Sequence, residues 1–513
     1  MLSVPYYKNT ANLCQEGRPG KKSNKHRENI ERSLPVSTRK NALYNVAYRV
    51  FSVLLPLVTA PYLSRTVGPE GVGLYSYAWS ISYVFVLVGM LGLENYGVRA
   101  IARARDDRNT LDRTFSEIWL MQLCVAGLTL LVWLGYVAFV ADREKLIALH
   151  LTMMSVSCLV NLDWCLMGLD QFRPIALKNT AVKLLAAGAV FLFVRGPEDL
   201  WVYAFVWSLA TLLGCLSCWT TLRGKVRRVP VSFPAAMKHF PPCALLFVSV
   251  LAVNVFRTMD KVMVGALSSM KQNGLYENAE KIIYCLSGFI SAIGTVMLPK
   301  VSGMLKRGET ERVRRHIDLS MQLVLCMVCA MAFGVAAVAR DFAPLFFGQS
   351  FAVSGELMIP LAFTLIAIGF ANVIRTQWIL PNGLDTIFVK SVSAGAVINL
   401  LSNALLIPSM GAKGAVAGTL LAEFAVPVVQ WIILRRALPY GRYIRHLAVY
   451  SLLGLVMLLA VRLTARLFPF TGWAGLASQV AVGAAVYGAL CLAMWHLTKN
   501  AAILRLLPGR KKS

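Results

Sequence analysis

The chain has 513 residues, of which 57% are apolar and 15% are charged, whereas a soluble globular protein averages roughly 45–50% apolar and about 25% charged residues. Lys and Arg number 52 against 25 Asp and Glu, which gives a formal net charge of +27. This composition excludes an ordinary water-soluble enzyme. It also leaves no room for the folded basic domain of a nucleic-acid-binding protein, so we predict a membrane protein with no nucleic-acid partner.

The first 40 residues form a polar, basic stretch with almost no apolar periodicity. This stretch lacks the apolar core of a secretory signal peptide. We therefore predict that residues 1–40 are a disordered cytoplasmic arm without a role in transport.

The rest of the chain divides at charged and Pro- or Gly-rich loops into about fourteen apolar segments, each near the roughly 20 residues that cross a bilayer. Cations concentrate in every second connection, for example in residues 223–228 and 306–315. Because short loops rich in Lys and Arg stay in the cytoplasm, we predict that both termini are cytoplasmic. The predicted fold class is all-α, a multi-pass membrane protein of about fourteen transmembrane helices.

An internal repeat divides these spans into two sets. The segment Gly73–Ala78 recurs 201 residues later as Gly274–Ala279, and each copy opens an even-numbered span. Repeats that have the same orientation in the membrane are typical of transporters, whose substrate site lies between the lobes. We predict two pseudo-symmetric six-helix lobes at 41–222 and 240–436, joined by a cytoplasmic linker at 223–239 and followed by a helix pair and basic tail at 437–513.

The sequence carries none of the motifs of a P-loop, a zinc protease, a serine hydrolase or a dinucleotide-binding fold. The predicted external loops are short, whereas a membrane polymerase or ligase usually bears its catalytic groups on a long external loop. We therefore predict transport without covalent chemistry, no enzyme activity, no catalytic residue, no cofactor and no metal site.

Ionisable side chains inside the predicted spans are the best site candidates, because each costs on the order of 2.5–3.5 kcal/mol at the bilayer centre. Arg49, Lys183 and Glu423 lie deepest, and we predict that they face a polar cavity. Others lie nearer to span ends, where they either face the cavity or extend to the membrane surface; these are Asp163, Arg257, Asp260, Lys261 and Arg375.

Two cations of span seven, Arg257 and Lys261, are four residues apart and share one helix face, and Asp260 is spaced to pair with Arg257. Two cations between the lobes suit an anionic ligand such as phosphate or pyrophosphate. The alternative is a local charge network that tethers the lobes at the outer rim. Cations outnumber acids inside the spans, which favours an anionic substrate over a cationic drug.

Three acids, Glu423, Asp163 and Asp260, are the candidates for coupling transport to an ion gradient or for lining the cavity. The sequence leaves open whether a proton gradient, a sodium gradient or the supply of substrate alone drives net movement.

Several sequence blocks resemble the bacterial oligosaccharide flippases of the polysaccharide transporter family, within the multidrug/oligosaccharidyl-lipid/polysaccharide exporter superfamily. The resemblance covers nearly all of residues 40–438. The blocks that carry it are Asn45 to Tyr77, Asn95-Tyr96-Gly97, Asp163-Trp164, Asp260 to Gly265, Tyr276 to Ile282, Gly294 to Pro299, Arg375-Thr376-Gln377 with Pro381-Asn382, and Gly414 to Glu423.

This resemblance implies two six-helix bundles around a cavity that opens alternately to either side. It implies a polyprenyl-pyrophosphate-linked oligosaccharide as substrate, membrane lipid as surroundings, and a polysaccharide polymerase and glycosyltransferases as partners. It points to Arg49, Lys183, Arg257 and Arg375 as cavity cations that meet the anionic carrier. Two alternatives stay open: a cation-coupled small-molecule exporter of the same fold, and a membrane polymerase or ligase acting on lipid-linked glycans.

Overall fold

The computed structural model describes residues 36–468 and 471–498. Within them, the side chains of residues 36–54, 56, 248–250, 252–253 and 255–257 are outside the description. Residues 1–35 of the predicted arm and 499–513 of the predicted tail also lie outside it.

Seven described helices form the N-terminal bundle. They are α1 (Val36–Met90), α2 (Leu93–Ala104), α3 (Arg108–Phe139), α4 (Lys145–Val160), α5 (Asp163–Gly168), α6 (Phe172–Phe193) and α7 (Leu200–Leu222). A short helix, α8 (Phe233–Met237), lies in the segment that connects the bundles.

The C-terminal bundle and the helix pair after it contain the remaining α-helices of the described residues. They are α9 (Phe240–Leu267), α10 (Met270–Lys306), α11 (Thr310–Phe347), α12 (Ala352–Ala362), α13 (Thr364–Ile374), α14 (Asp385–Met410), α15 (Ala412–Leu434), and then α16 (Tyr440–Leu467) and α17 (Gly472–Leu497).

Twelve segments of the described residues are helices long and apolar enough to cross a membrane. Helix α1 holds two crossings, because Gly68 breaks it with a φ of 69° and a ψ of 179°, a conformation that glycine adopts without strain. The first of the twelve segments, Leu57–Ala104, begins within the first crossing and continues through the second. Helix α9, with 28 residues, is also long enough to cross. The all-α fold with about fourteen spans, arranged as two six-span bundles and a C-terminal pair, is confirmed.

Helix starts and outer faces follow from local chemistry. Asp107 begins α3 by accepting hydrogen bonds from the backbone N–H groups of residues 109 and 110, and Ser269 does the same for α10 at residue 272. Large apolar side chains such as Phe139, Leu185 and Leu405 are largely exposed on the outside of the helices. Such a surface is stable against lipid, whereas a water-soluble protein rarely exposes this much apolar area.

The molecule has two sides that matter for its site. The turn at Gly68 and the turn before α10 lie together, because the residues that follow Gly68 contact the first turns of α10. The end of α11 lies on the same side, where Arg65 in α1 donates a hydrogen bond to the carbonyl oxygen of Leu345 at 2.5 Å. We call this the Gly68 side. The opposite side carries the connecting segment 223–239, and we call it the linker side.

Candidate functional site

The two repeats touch each other on the Gly68 side. A Cβ atom on Gly73 would lie 1.7 Å from the carbonyl oxygen of Met270, and one on Gly274 would lie 1.8 Å from the carbonyl oxygen of Pro69. These pairs are equivalent positions of the repeat, so the contact is symmetric. Only residues without a side chain allow helices α1 and α10 to approach this closely.

Side chains beside this glycine contact form hydrogen bonds between the two bundles. The Nδ2 of Asn273 donates to the carbonyl oxygen of Gly73 at 2.8 Å, and the Nδ2 of Asn278 donates to the Oγ of Ser64 at 2.7 Å. Both asparagines are buried. The bundles are therefore joined on the Gly68 side by backbone contact and by buried hydrogen bonds, which closes the space between them at that end.

A charged cluster lies beside the contact. The Oε2 of Glu277 accepts a hydrogen bond from the Oγ of Ser76 in the other bundle at 3.0 Å. Lys261 binds Glu277 at 2.8 Å and Glu280 at 3.0 Å, and Lys281 binds the second oxygen of Glu277 at 3.2 Å. Glu277 is thus the shared partner of two lysines and of a serine across the bundle interface.

This cluster bears on the predicted role of Lys261. The spacing with Arg257 predicted two cations presented to the space between the lobes, but Lys261 is balanced by two glutamates, because α9 and α10 pack side by side at this level. The geometry corresponds to the alternative of a charge network that ties the bundles together. A role for Lys261 in binding substrate stays a prediction.

Asp260 lies one residue earlier and points into the C-terminal bundle. Its carboxylate accepts hydrogen bonds from the hydroxyl of Tyr276 at 2.7 Å, the hydroxyl of Thr419 at 2.8 Å and the Nδ2 of Asn403 at 2.6 Å. It is 2% exposed. Four helices, α9, α10, α14 and α15, meet at this one carboxylate. The predicted pairing of Asp260 with Arg257 is not tested, because the Arg257 side chain lies outside the description.

Two buried amide atoms adjoin the Asp260 pocket. The Oδ1 of Asn403 and the Nδ2 of Asn399 have no hydrogen-bond partner among the described residues. Because amide oxygen and nitrogen are assigned from their surroundings, the two asparagines offer either donors or acceptors to this pocket. The pocket is thus lined by polar atoms and excluded from water.

Arg375 occupies an irregular turn of the C-terminal bundle. It opens the π-helical turn Arg375–Ile379 that follows α13. Its guanidinium donates to the Oδ1 of Asn372 at 2.8 Å and lies 5.4 Å from the ring centre of Phe388. The Nδ2 of Asn372 in turn donates to the carbonyl oxygen of Ile290 in α10. Such π-turns occur frequently at functional sites.

Asp163 follows a break in the fourth span of the N-terminal bundle. Helix α4 ends at residue 160, and Asp163 starts the short helix α5. The thiol of Cys218 donates to the Oδ1 of Asp163 at 3.1 Å. The carbonyl oxygens freed by the break accept hydrogen bonds from the side chains of Gln122 and Trp219. Unwound backbone at membrane depth needs such partners.

The remaining predicted residues fall into two groups. Lys183 in α6 and Glu423 in α15 are both half-buried, near the middle of their helices. The side chains of Arg49 and Arg257 lie outside those that the structure describes. The described residues therefore do not gather all predicted cations at one point, and their joint role in binding stays a prediction.

The connecting segment 223–239 is bound to the N-terminal bundle along its length. The backbone N–H of Arg227 donates to Asp112 at 2.7 Å, and that of Val229 donates to Ser116 at 3.0 Å. The guanidinium of Arg228 lies over the rings of both Trp119 and Trp219, at 4.2 and 4.6 Å from their centres. These contacts fix the linker on α3 and α7.

The end of this segment is held by a second charged cluster. Glu117 binds Arg113, Lys238 and the Nε2 of His239, and the Nδ1 of His239 contacts the hydroxyl of Tyr96 at 2.6 Å. A neutral imidazole that donates to Glu117 and accepts from Tyr96 satisfies both neighbours. Burial lowers the pKa of His239. The start of α9 is thus attached to the N-terminal bundle.

The sequence patterns did not single out Glu277, Ser76, Tyr276, Asn403 or Thr419. The repeat could have indicated one of these contacts, because its offset of 201 residues aligns Ser76 with Glu277. Equivalent residues of two repeats meet wherever the symmetry axis passes close to them. Nothing in the local sequence around residues 403 and 419 indicates that they converge on Asp260. Among the described residues, no cluster of three His, Cys, Asp or Glu side chains is placed to hold a metal ion.

Two bundles related by a repeat, closed against each other at one end, define a membrane transporter fold. The sequence profile of the polysaccharide biosynthesis protein family matches residues 38–305, more than half of the chain. The protein belongs to this family. The predicted family is confirmed.

Individual relatives agree with this assignment. The chain is 21% identical to the putative O-antigen transporter of Escherichia coli strain K12 over 372 residues, which are 71% of this chain and 89% of that protein. It is 24% identical to the probable low-salt glycan biosynthesis flippase Agl15 of Haloferax volcanii over 251 residues, 49% of this chain and 52% of that protein.

Two solved structures share the fold. The lipid II flippase MurJ in an inward closed conformation has a TM-score of 0.72 and 14% identity, and the match covers 89% of this chain and 98% of that one. An inward-facing multidrug resistance transporter of the MATE family has a TM-score of 0.56 and 12% identity, covering 76% of this chain and 94% of that one. At these identities the likeness concerns the fold alone.

Proposed function

We propose that this protein is a flippase that moves polyprenyl-pyrophosphate-linked oligosaccharide repeat units across the bacterial cytoplasmic membrane, for the synthesis of O-antigen, capsule or exopolysaccharide. The contact of Gly73 with Gly274, which closes one end of the space between the bundles, is the observation that supports it most. A hydrophilic glycan does not cross about 30 Å of hydrocarbon unaided. A space between two bundles that opens to one side at a time provides the path.

The loop charges set the orientation of this proposal. Cation-rich connections support an orientation with the linker side in the cytoplasm and the Gly68 side outside. The described state is then closed to the outside, and the glycan enters from the cytoplasm, where glycosyltransferases complete it. Export requires the Gly73–Gly274 contact to separate in a second state. The polyprenyl tail stays in lipid throughout, and the protein itself makes or breaks no covalent bond.

Cations within the bundles recognise the pyrophosphate of the carrier in this proposal. Arg375 is held at its turn by Asn372, so its guanidinium is oriented before substrate arrives. A guanidinium offers paired donors that match phosphate oxygens. Lys183 lies half-buried at the middle of α6, and the family resemblance adds Arg49 and Arg257 to this set.

Ion coupling in this proposal is assigned to three acids inside the spans. Asp260 is the strongest of the three candidates, because four helices meet at its carboxylate and binding of a proton or sodium ion there would change how they pack. Glu423 and Asp163 are the other two. Dissipating a proton or a sodium gradient separately, in liposomes that contain the protein, distinguishes the two ions. Equal rates under all conditions would remove coupling from the proposal.

The test of the main proposal is translocation of a labelled polyprenyl-pyrophosphate oligosaccharide in liposomes that contain the purified protein. We expect movement with the parent, and at least about tenfold slower movement with Arg375→Ala and Lys183→Ala, which corresponds to about 1.4 kcal/mol of lost interaction. The matched control is Arg466→Ala, which removes an exposed cation of α16, outside both bundles. A parent that moves no substrate, although folded and inserted, overturns the proposal.

The same liposomes separate the two alternatives. A cation-coupled small-molecule exporter of this fold would move a cationic dye against an imposed ion gradient and leave the lipid-linked glycan in place. A membrane polymerase or ligase would change the size of the labelled glycan, whereas a flippase moves it unchanged. Mass analysis of the recovered lipid therefore decides between transport and chemistry.

A further inference from the structure

Glu277 occupies an unusual position in the bundle interface. One of its oxygens, Oε2, accepts both the hydrogen bond from Ser76 of the N-terminal bundle and the ion pair from Lys261 of the C-terminal bundle. Its other oxygen binds Lys281. The bond that closes the interface and the bonds that neutralise two cations therefore share a single carboxylate.

The charges of this cluster balance. Lys261 and Lys281 face Glu277 and Glu280, so two cations meet two anions. Each of the four side chains keeps an exposed fraction between 14 and 24%, so the cluster is reachable by a ligand. An anion that binds the lysines must compete with the carboxylates already in place, because an ammonium group has three donors and no further charge to offer.

We propose that Glu277 acts as a built-in counter-anion that the pyrophosphate of the substrate displaces, and that this displacement opens the Gly68 side. This inference rests on the proposed function. A phosphate bound to Lys261 and Lys281 takes over the donors that hold the Glu277 carboxylate. The carboxylate then leaves the position in which it accepts from Ser76, and the bond between the bundles is lost. Glu277 is thus a positioning residue that links anion binding to the closed interface.

The physical basis is a competition between anions. The pyrophosphate group as a whole carries more negative charge than a single carboxylate, and its oxygens form charge-assisted hydrogen bonds to ammonium groups. In a partly buried site such bonds are stronger than in water. The link is reciprocal, because a ligand that favours the open interface is bound more tightly once the interface is open.

The experiment measures opening of the Gly68 side directly. Spin-labelled amino acids are placed at Glu198, in the turn before α7, and at Lys413, at the start of α15; both residues are exposed on this side, one in each bundle. The distance between the labels is measured in lipid nanodiscs with farnesyl pyrophosphate as the probe. Farnesol, which has no phosphate, is the control ligand. We expect farnesyl pyrophosphate, and not farnesol, to lengthen the distance.

Two matched variants separate positioning from simple charge. Glu277→Gln removes the charge that competes with the probe but keeps an acceptor for Ser76. We expect it to bind the probe about 5- to 150-fold more tightly, the usual range of a coupled site, and to lose the change in distance. Glu280→Gln also removes an anion from Lys261 but has no bond to Ser76. We expect it to bind more tightly and to keep the change in distance.

The results that overturn the inference are specific. A Glu277→Gln variant that is folded by its melting temperature, and that still opens with the probe as the parent does, removes the link. If Glu280→Gln also loses the change in distance, the response depends on the charge of the cluster and not on the bond between Glu277 and Ser76, and the inference is wrong. If the parent translocates lipid-linked glycan but Glu277→Gln opens normally, this inference fails alone. If the probe opens the parent through Glu277 but no glycan is translocated, the proposed function fails alone.

Discussion

Gly73 and Gly274 hold the same place in the two repeats, and each lies against the backbone of the other's helix. The Cβ position of Gly73 is 2.7 Å from the nitrogen of Gly274, and that of Gly274 is 2.9 Å from the nitrogen of Gly73. Because the contact is made by backbone atoms of both bundles, there is no flexible side chain that adjusts to added volume.

Adding a methyl group at this contact should therefore prevent closure. We expect Gly73→Ala and Gly274→Ala each to reduce translocation by at least about tenfold, and to lengthen the distance between labels at Glu198 and Lys413 without any ligand. Gly127→Ala in α3 is the control, since nothing lies within 4 Å of its Cβ position. If both variants keep the parent's label distance and its translocation rate, the close contact of α1 with α10 at these glycines is not required for closure.

The Asp260 pocket makes a prediction about stability. Asp260→Ala removes the charged acceptor that Tyr276, Thr419 and Asn403 share. The two hydroxyls keep a hydrogen bond to each other, and the Asn403 amide keeps one 3.3 Å bond within α14. A hydrogen bond to a charged group contributes about 1.5–3 kcal/mol, so we expect a clear loss of thermal stability in detergent. Asp385→Ala, at the exposed first residue of α14, is the control and should leave the melting temperature within error. A small effect of Asp260→Ala would mean that water replaces the carboxylate.

The lowered pKa of His239 predicts that the stability of the fold depends on pH. Burial lowers its pKa below the usual value of 6.5, so below pH 6.5 the unfolded chain takes up a proton that the folded chain does not. Stability is therefore unaffected at higher pH and falls as the pH drops through 6.5 toward the folded pKa. We expect the melting temperature to fall less between pH 7.5 and 5.5 in His239→Gln. His496→Gln, at the exposed end of α17, should keep the parent's pH profile.

The contact of Arg228 with two tryptophan rings predicts how firmly the linker is held. We expect Arg228→Ala to release the segment and to speed tryptic cleavage after Lys225 several-fold, because the cation–π contacts to Trp119 and Trp219 are lost. Cleavage after Arg312, at the exposed start of α11, is the internal control in the same digest. Unchanged cleavage at Lys225 would mean that the backbone hydrogen bonds to α3 hold the linker in place without Arg228.

The order and type of the elements could be predicted from the sequence, because they depend on local composition. Long apolar runs require helices in lipid, since every backbone polar group must be satisfied within its own segment. The repeat at Gly73 and Gly274 also predicted two lobes. The fold confirmed the two lobes, and it showed that Gly68 is the residue at which the first two spans separate.

The partners of each ionisable side chain were decided only by the tertiary structure. Lys261 and Asp260 are neighbours in α9 and point to different surroundings, one toward glutamates of α10 and the other toward α14 and α15. Their partners are separated from them by between 16 and 159 positions in the chain. Local spacing determines which face of a helix a residue occupies, but the packing of the helices determines what that face meets. A charge that the sequence presents as a candidate for substrate therefore becomes, in the folded protein, one member of a balanced cluster.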